Sequence, residues 1–255
     1  MQQSNTYVII FSAVLTIVLG GLLSLANQGL KERQQRAEEL DTKKKILGSV
    51  TDLAKKKGPE IISLYEQSIE SMAVDIDGNP VEKDEKGGEM VAENVNIGKN
   101  FKKTPEERVY PVFKYHKAGD PSAVEAYILP VYGKGLWGPI WGYIALDIDL
   151  NTIKGVSLDH AKETAGLGAR ITAADVQARY VGKKIFDSAG ELVSVSMLKG
   201  ESNAANLLDD HHIDGMAGAT ITGKGVNAML IDYFGHYKSF ITKNSGQSNQ
   251  VTALN

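Results

Sequence analysis

The sequence predicts an α/β protein of the α+β type, in which one N-terminal transmembrane helix precedes a mixed or antiparallel sheet flanked by helices. An uncharged stretch of 20 residues spans 7–26. Apolar runs with short links follow one another between residues 109 and 160. Residues 226–240 then carry apolar side chains at i, i+3, i+4 and i+7. Alternation is typical of strands and the 3.6-residue period of helices, and strands joined by short links favour antiparallel pairing.

The composition excludes several classes of function. The 255 residues carry a net charge of −3, so nothing marks nucleic acid as a partner. The chain has no cysteine, which excludes thiolate zinc sites, iron–sulfur clusters and disulfides. The five histidines show no metal-ligand spacing, and no metal site is expected.

The first element is the span Tyr7–Ala26, preceded by a short tail of residues 1–6. Its 20 residues have about the length that a helix needs to cross a bilayer. A cleaved signal peptide is the alternative. The missing basic n-region and the long apolar core favour a retained anchor.

Residues 27–75 predict a helical stalk that packs on the following domain. A first helix is expected from Lys31 to Lys57, a break at Gly58-Pro59, and a second helix from Glu60 to Met72. The basic residues near the span all follow it, which would place the domain in the cytoplasm.

Residues 76–241 predict the α/β domain. Strands are expected at 109–115, 123–132, 141–149 and 153–160, and a further pair at 182–186 and 192–197. Residues 81–103 indicate an exposed loop, and the polar residues 242–255 a flexible tail.

The segment Asp214–Thr220 consists mostly of small residues, ends in a hydroxyl and directly precedes the helical pattern. A helix N-terminus offers unpaired N–H groups and the positive end of the dipole, so it attracts phosphate. Thr220 or Thr222 stands where an N-cap is expected. The residues alone therefore predict a phosphate-binding turn with a threonine directed at the phosphate.

Two nucleotide-binding motifs fit this chain only in part. Residues 218–224 have P-loop spacing, but Gly225 occupies the place of the Ser or Thr that holds magnesium. Residues 133–138 spell G-x-G-x-x-G, but Pro139 and a strand pattern follow where a helix is required. For residues 133–138, a glycine-rich turn is the simpler interpretation.

A third motif fits better. The pattern Asp-x-x-(Ser/Thr)-Gly-Ala-Thr at residues 214–220 resembles the flavinylation motif of the FMN-binding domain family. The resemblance implies that Thr220 carries FMN through a phosphoester. Ala217 departs from the pattern, because the family usually has a hydroxyl residue there.

Three more stretches resemble the same family, in the expected order: Gly-x-Gly-Leu-Trp at 133–137, Glu-Thr-x-Gly-Leu-Gly at 163–168 and Val-Gly-Lys-Lys-Ile-Phe at 181–186. Ala165 replaces the family's proline in the second. With one N-terminal span, this layout resembles the C subunits of the sodium-translocating NADH:quinone oxidoreductases. The G subunits of the related ferredoxin:NAD oxidoreductases are similar in layout and remain an alternative.

The resemblance implies an electron-transfer subunit with covalent FMN, in a complex that couples NADH:quinone oxidoreduction to sodium export. Other membrane subunits and a flavin transferase would be its partners, and NADH would bind elsewhere in the complex. The domain would lie on the periplasmic side of the bacterial inner membrane, against the charge rule, since long domains translocate largely regardless of charge. A membrane-anchored, cofactor-free binding or scaffold domain is the alternative from another class.

The family motifs imply which residues would hold the flavin, and no catalytic residue is assigned. The phosphate side would comprise Thr220, Asp214, Gly218, Ala219 and Lys224. The ring and its polar edge would contact Leu136, Trp137, Glu163, Thr164, Gly166, Leu167 and Gly168.

Overall fold

The chain divides into two units, Met1–Lys43 and Lys44–Asn255, in a computed structural model that describes residues 4–117 and 120–252. Helix α1 runs from Asn5 to Gly48. Its N-terminal part is long and apolar enough to cross a membrane. The predicted span and the start of the predicted stalk thus belong to one helix.

α1 ends at Gly48, nine residues before the predicted end at Lys57. Glycine disfavours the helix interior, and the Ser49 hydroxyl donates to the carbonyl of Ile46 in the last turn. The predicted break at Gly58-Pro59 is also wrong, because these residues begin helix α2, Gly58–Ser68. Proline suits the first turn of a helix, since the N–H that it lacks has no partner there.

A five-stranded sheet in the order β1-β2-β3-β4-β5 forms the centre of the second unit, and every neighbouring pair is antiparallel. Its strands are β1 (Ile69–Val74), β2 (Tyr110–Lys117), β3 (Asp120–Lys134), β4 (Pro139–Asp147) and β5 (Ile153–His160). The predicted antiparallel sheet is confirmed. Four of the five strands were predicted, and β5 has the predicted bounds.

Strand β1 was wrongly predicted as the end of a helix. The chain becomes extended at Ile69, and β1 pairs with β2 from Ile69 opposite Tyr115 to Val74 opposite Tyr110. The partner strand lies some 40 residues away in sequence, so a local pattern carries no information about this pairing.

The predicted strand pair at 182–197 is mostly absent among the described residues. One bridge joins Phe186 and Leu192, and the short strand β6 (Ser196–Met197) pairs in parallel with β7 (His212–Ile213). The side chain of Asn151 accepts the N–H groups of residues 185 and 186, which are therefore diverted from a ladder.

The segment 81–103 contains more structure than an exposed loop. It includes a 3-10 turn at Ala92–Asn94 and the short helix α3, Ile97–Asn100, and further 3-10 turns follow at Pro105–Glu107, Gly168–Thr172 and Ala205–Leu207. Ala92 and Asn100 are buried, and the Asn100 amide bonds the backbone of Val109.

The short helix α4 (Ala174–Ala178) and the long helix α5 (Thr220–Thr252) complete the fold. The predicted apolar stripe of α5 is confirmed, with buried Val226, Met229, Leu230, Tyr233, Phe234, Tyr237 and Phe240. These residues share the main core with one face of the sheet. The flexible tail expected from residue 242 is instead helical to Thr252, since an existing helix propagates more easily than it starts. Residues 253–255 lie outside the described part.

The opposite face of the sheet contacts the end of α1. Lys45 lies 2.5 Å from a carboxylate oxygen of Asp159 and 5.7 Å from the ring centroid of Trp141. Ile46 and Leu47 are fully buried. The sheet is thus covered on both faces, and α5 begins at the end of the sheet where β3 turns into β4.

Candidate functional site

Three segments meet at the start of α5. They are the β3–β4 turn (135–138), the segment after β5 (161–168) and the loop before α5 (214–219). The segment 133–138 thus lies at the turn between two antiparallel strands. It does not open a helix, which confirms the interpretation of this segment as a glycine-rich turn.

Glu163 joins these segments from within. Its side chain is 7% exposed, and one carboxylate oxygen accepts the Thr222 hydroxyl at 2.5 Å. The other oxygen accepts the backbone N–H of Trp137 at 2.9 Å. Glu163 therefore orients the loops rather than facing a ligand directly.

Thr222 is not the N-cap that the sequence allowed. It lies within the first turn of α5, 1% exposed, and its hydroxyl is committed to Glu163. Gly168 packs against this pair, because a Cβ there would lie 2.5 Å from both Glu163 Oε2 and Thr222 Oγ1. The interior leaves no room for a ligand at Thr222.

Thr220 is placed differently. It is the first residue of α5 and half-buried, and among the described residues its hydroxyl has no hydrogen-bond partner. The exposed Lys224 follows one turn later on the same side of the helix. The first N–H groups of a helix have no partner within it, so this end presents donors, positive charge and a free hydroxyl together.

Exposed apolar side chains surround this polar end. Leu136, Trp137 and Leu167 are 44%, 64% and 41% exposed, and Ile221 is 57% exposed. Ile221 was not predicted as a site residue, although its position directly after Thr220 could have indicated it. Large exposed apolar groups beside a few polar ones are typical of a ligand surface.

The predicted polar edge lies in an exposed turn. The Thr164 carbonyl accepts the N–H groups of Leu167 and Ala169, each at 3.1 Å. Gly166 has φ +75° and nothing within 4 Å of a built Cβ. Ala165, which stands where the family motif has proline, lies in this hydrogen-bonded turn.

Asp214 has a structural role in the loop. Its carboxylate accepts the backbone N–H groups of Ser202 and Asn203, at 2.9 Å each, and the Asn203 amide at 2.8 Å. Burial opposes ionisation, but these hydrogen bonds hold the pKa of Asp214 below its usual value. Asp214 therefore shapes the turn and does not face the exposed surface.

An ion cluster beside this loop was missed by sequence reasoning. Arg170 holds both carboxylate oxygens of Glu201, at 2.7 and 2.8 Å, and Arg179 holds one at 2.9 Å. Hydrogen bonds from Arg170 and Arg179 hold the pKa of Glu201 well below its usual value. The partners are 31 and 22 residues apart, so no sequence spacing signals the contact.

The residues present fit an FMN group. The N–H groups at the start of α5, the Thr220 hydroxyl and Lys224 suit a phosphate. The exposed Leu136, Trp137 and Leu167 suit an apolar ring, and the open turn at Gly166 suits its polar edge. The fold and the site together define an FMN-binding domain, and residues 135–234 match the family of that description.

Similar proteins narrow the family further. The chain is 31% identical over 225 residues to the C subunit of the Na(+)-translocating NADH-quinone reductase of Vibrio vulnificus, covering 83% of this chain and 84% of that protein. It is 29% identical to the protein of the same name from Pseudomonas aeruginosa, covering 92% and 93%. The chain belongs to this family of C subunits.

Solved structures agree with this assignment. The crystal structure of the same reductase's C subunit from Parabacteroides distasonis is 36% identical with a TM-score of 0.69, covering 84% of this chain and 97% of that one. Shewanella oneidensis NqrC is 26% identical with a TM-score of 0.67, covering 82% and 99%.

Proposed function

We propose that this chain is an electron carrier that holds FMN covalently on Thr220. The observation that carries the proposal is the difference between two neighbouring threonines. The Thr220 hydroxyl is unpartnered among the described residues at the start of α5, whereas the Thr222 hydroxyl is buried against Glu163. Relative to free FMN and the free threonine, the phosphoester product lacks the elements of one water.

The chain's own residues would hold the flavin and exclude water from one side of it. The phosphoester keeps one negative charge at the N-terminus of α5, and Lys224 supplies a counter-charge. Leu136, Trp137 and Leu167 would support the ring, and Thr164 with the backbone of 166–168 would bond its polar edge. Bound FMN supplies the redox chemistry that accepts and passes on electrons.

The names of the relatives support the wider role. By that likeness the chain transfers electrons within a complex of other membrane subunits that couples NADH:quinone oxidoreduction to sodium export, with NADH oxidised elsewhere. A flavin transferase would attach the cofactor. Mild solubilisation should therefore copurify the subunits of a quinone reductase. Copurification of ferredoxin:NAD reductase subunits would assign the chain to the related complex.

The membrane arrangement belongs to the same proposal. α1 would anchor the chain in the bacterial inner membrane with the second unit in the periplasm. Fusions to the C-terminus test this side. A fused alkaline phosphatase is expected to be active. A fused fluorescent protein that matures only in the cytoplasm is expected to show no fluorescence. The reverse result would place the domain in the cytoplasm.

The attachment is tested by the intact mass of the chain coexpressed with the transferase. The wild type should gain the mass of one FMN less one water, and Thr220→Ala should gain nothing. A colourless wild type without added mass would favour the cofactor-free scaffold. Equal gains in both proteins would place the flavin on another residue.

A further inference from the structure

The loop 214–217 is held at several points ahead of Thr220. The carboxylate of Asp214 closes it onto residues 202 and 203. A side chain at Gly215 would overlap the carbonyl oxygens of Leu198 and Gly200, so the backbone passes directly against that strand end. The free hydroxyl of Thr220 is therefore presented by a loop with little freedom of its own.

The ion cluster reaches the same loop from the other side. Arg179 donates to the backbone carbonyls of Asp214 and Gly215. Glu201, which both arginines hold, accepts the backbone N–H of Ala217 at 3.3 Å. The carboxylate of Glu201 thus connects Arg170 and Arg179 with Ala217, which lies three residues before Thr220.

This contact falls where the chain departs from its family motif. Ala217 lacks the hydroxyl side chain that is usual at that place, so it can be held only through its backbone. Glu201 lies in the segment 198–203, outside the motif stretches at 133–137, 163–168 and 214–220. A carboxylate whose two oxygens are fixed by guanidinium groups is a rigid acceptor, because Arg–carboxylate pairs are geometrically specific.

We propose that Glu201, fixed by Arg170 and Arg179, is a positioning residue that holds the backbone of 214–217 so that Thr220 is presented for flavin attachment. The inference rests on the proposed function. It assigns the rate of attachment to a cluster that bonds the loop backbone and has no hydrogen bond to the Thr220 side chain among the described residues. A small displacement of a reacting group can cost about 100-fold in rate, so loss of the contact has a measurable effect.

The test compares Glu201→Gln with Glu70→Gln in the full-length chain coexpressed with its transferase. Glu70 is a matched control, because it also joins two basic side chains, Lys114 and His116, but lies on the edge strand β1. Intact mass at successive times gives the flavin-loaded fraction. Glu201→Gln is expected to slow attachment roughly 10-fold or more, and Glu70→Gln to leave it unchanged.

Hydrogen exchange separates positioning from a general loss of structure. In Glu201→Gln, the amides of 214–220 should exchange faster while those of β2 to β5 keep their protection. If Glu201→Gln loses protection throughout, the rate of attachment is measured in Arg170→Gln instead. This variant removes one of the two groups that fix Glu201 and keeps the contacts of Arg179 with Glu201 and the loop, and it should also slow attachment. Attachment at the wild-type rate in the folded variant would overturn the inference. A wild type that takes up no flavin would instead overturn the proposed function.

Discussion

Two threonines two positions apart have opposite environments because two steps along a helix rotate the side-chain direction by about 200°, just over half a turn. Thr220 begins α5, is half-buried and has no hydrogen-bond partner for its hydroxyl among the described residues, while Thr222 is 1% exposed and bonds the carboxylate of Glu163. Sequence reasoning predicted the hydroxyl and the small residues before it. It left Thr222 open as a cap, because which threonine faces inward depends on Glu163, 59 residues earlier in the chain.

Removal of the buried hydroxyl should destabilise the domain. Thr222→Val keeps the shape but leaves the buried carboxylate of Glu163 without one donor, which costs about 1–3 kcal/mol. Urea unfolding of the detergent-solubilised chain measures the loss. Thr164→Val, at an exposed site, is the control and should change stability by less than about 0.5 kcal/mol. Equal effects in both variants would contradict the role given to Glu163.

Acid should destabilise the ion cluster. The pKa values of Glu201 and Asp214 are lower in the folded state than in the unfolded state. Their contribution to the free energy of unfolding is therefore fully present above the unfolded-state pKa values and is lost as the pH falls toward the folded-state pKa values. Thermal unfolding between pH 7 and pH 3 should therefore show a steeper decline for the wild type than for Glu201→Gln. Parallel curves would show that this carboxylate contributes nothing to the pH dependence.

At the scale of elements, the start of α5 is fixed by contacts from both sides. Glu163 holds its first turn, and the Asn227 side chain bonds the backbone N–H and carbonyl of Met197 in β6, at 2.8 and 3.0 Å. The Asn227 amide thus takes the place of a neighbouring strand. We expect the position of the proposed flavin-binding surface to depend on these two attachments.

Loss of the second attachment has a predictable cost. Asn227→Ala would leave the N–H and carbonyl of Met197 without these partners and should destabilise the fold by about 1–3 kcal/mol. Asn244→Ala is the control, since among the described residues its side-chain amide bonds the helix carbonyl of Phe240 alone. Both are measured by urea unfolding of the solubilised chain. A negligible effect at Asn227 would mean that core packing alone positions α5.

The elements differ in how far the sequence predicts them. α5 and β2 to β5 were predicted because their apolar periodicity is local and strong. β1 was missed because its strand state depends on pairing with β2. At the site, the motif residues remain a prediction of which groups hold the flavin. The contacts of Glu201 could not be predicted, since a contact between distant segments leaves no spacing to detect.

At the scale of the whole molecule, the residues of the site all belong to the second unit, 44–255. Helix α1 continues from the first unit into the second, and its buried end lies within the second. A covalent flavin on an anchored domain would remain with its complex without any need for a tight pocket. This agrees with a site whose apolar groups are exposed.

Deletion of residues 1–43 should release the chain from the membrane without abolishing flavin attachment. The core and the site of the second unit remain complete in that truncation. Fractionation and in-gel flavin fluorescence, after coexpression with the transferase in the same compartment as the truncated chain, measure both properties. A truncated chain that stays with membranes, or that is folded but takes up no flavin, would contradict the division into an anchor and a carrier domain.

The most direct test of the central claim is to locate the flavin within the chain. Trypsin should release residues 200–224 as one peptide, because no Lys or Arg lies between Lys199 and Lys224. Fragmentation of this peptide from the coexpressed wild type should place the FMN phosphate on Thr220. Flavin on Thr222, or an unmodified peptide from a yellow protein, would contradict the claim that the free hydroxyl at the start of α5 is the attachment point.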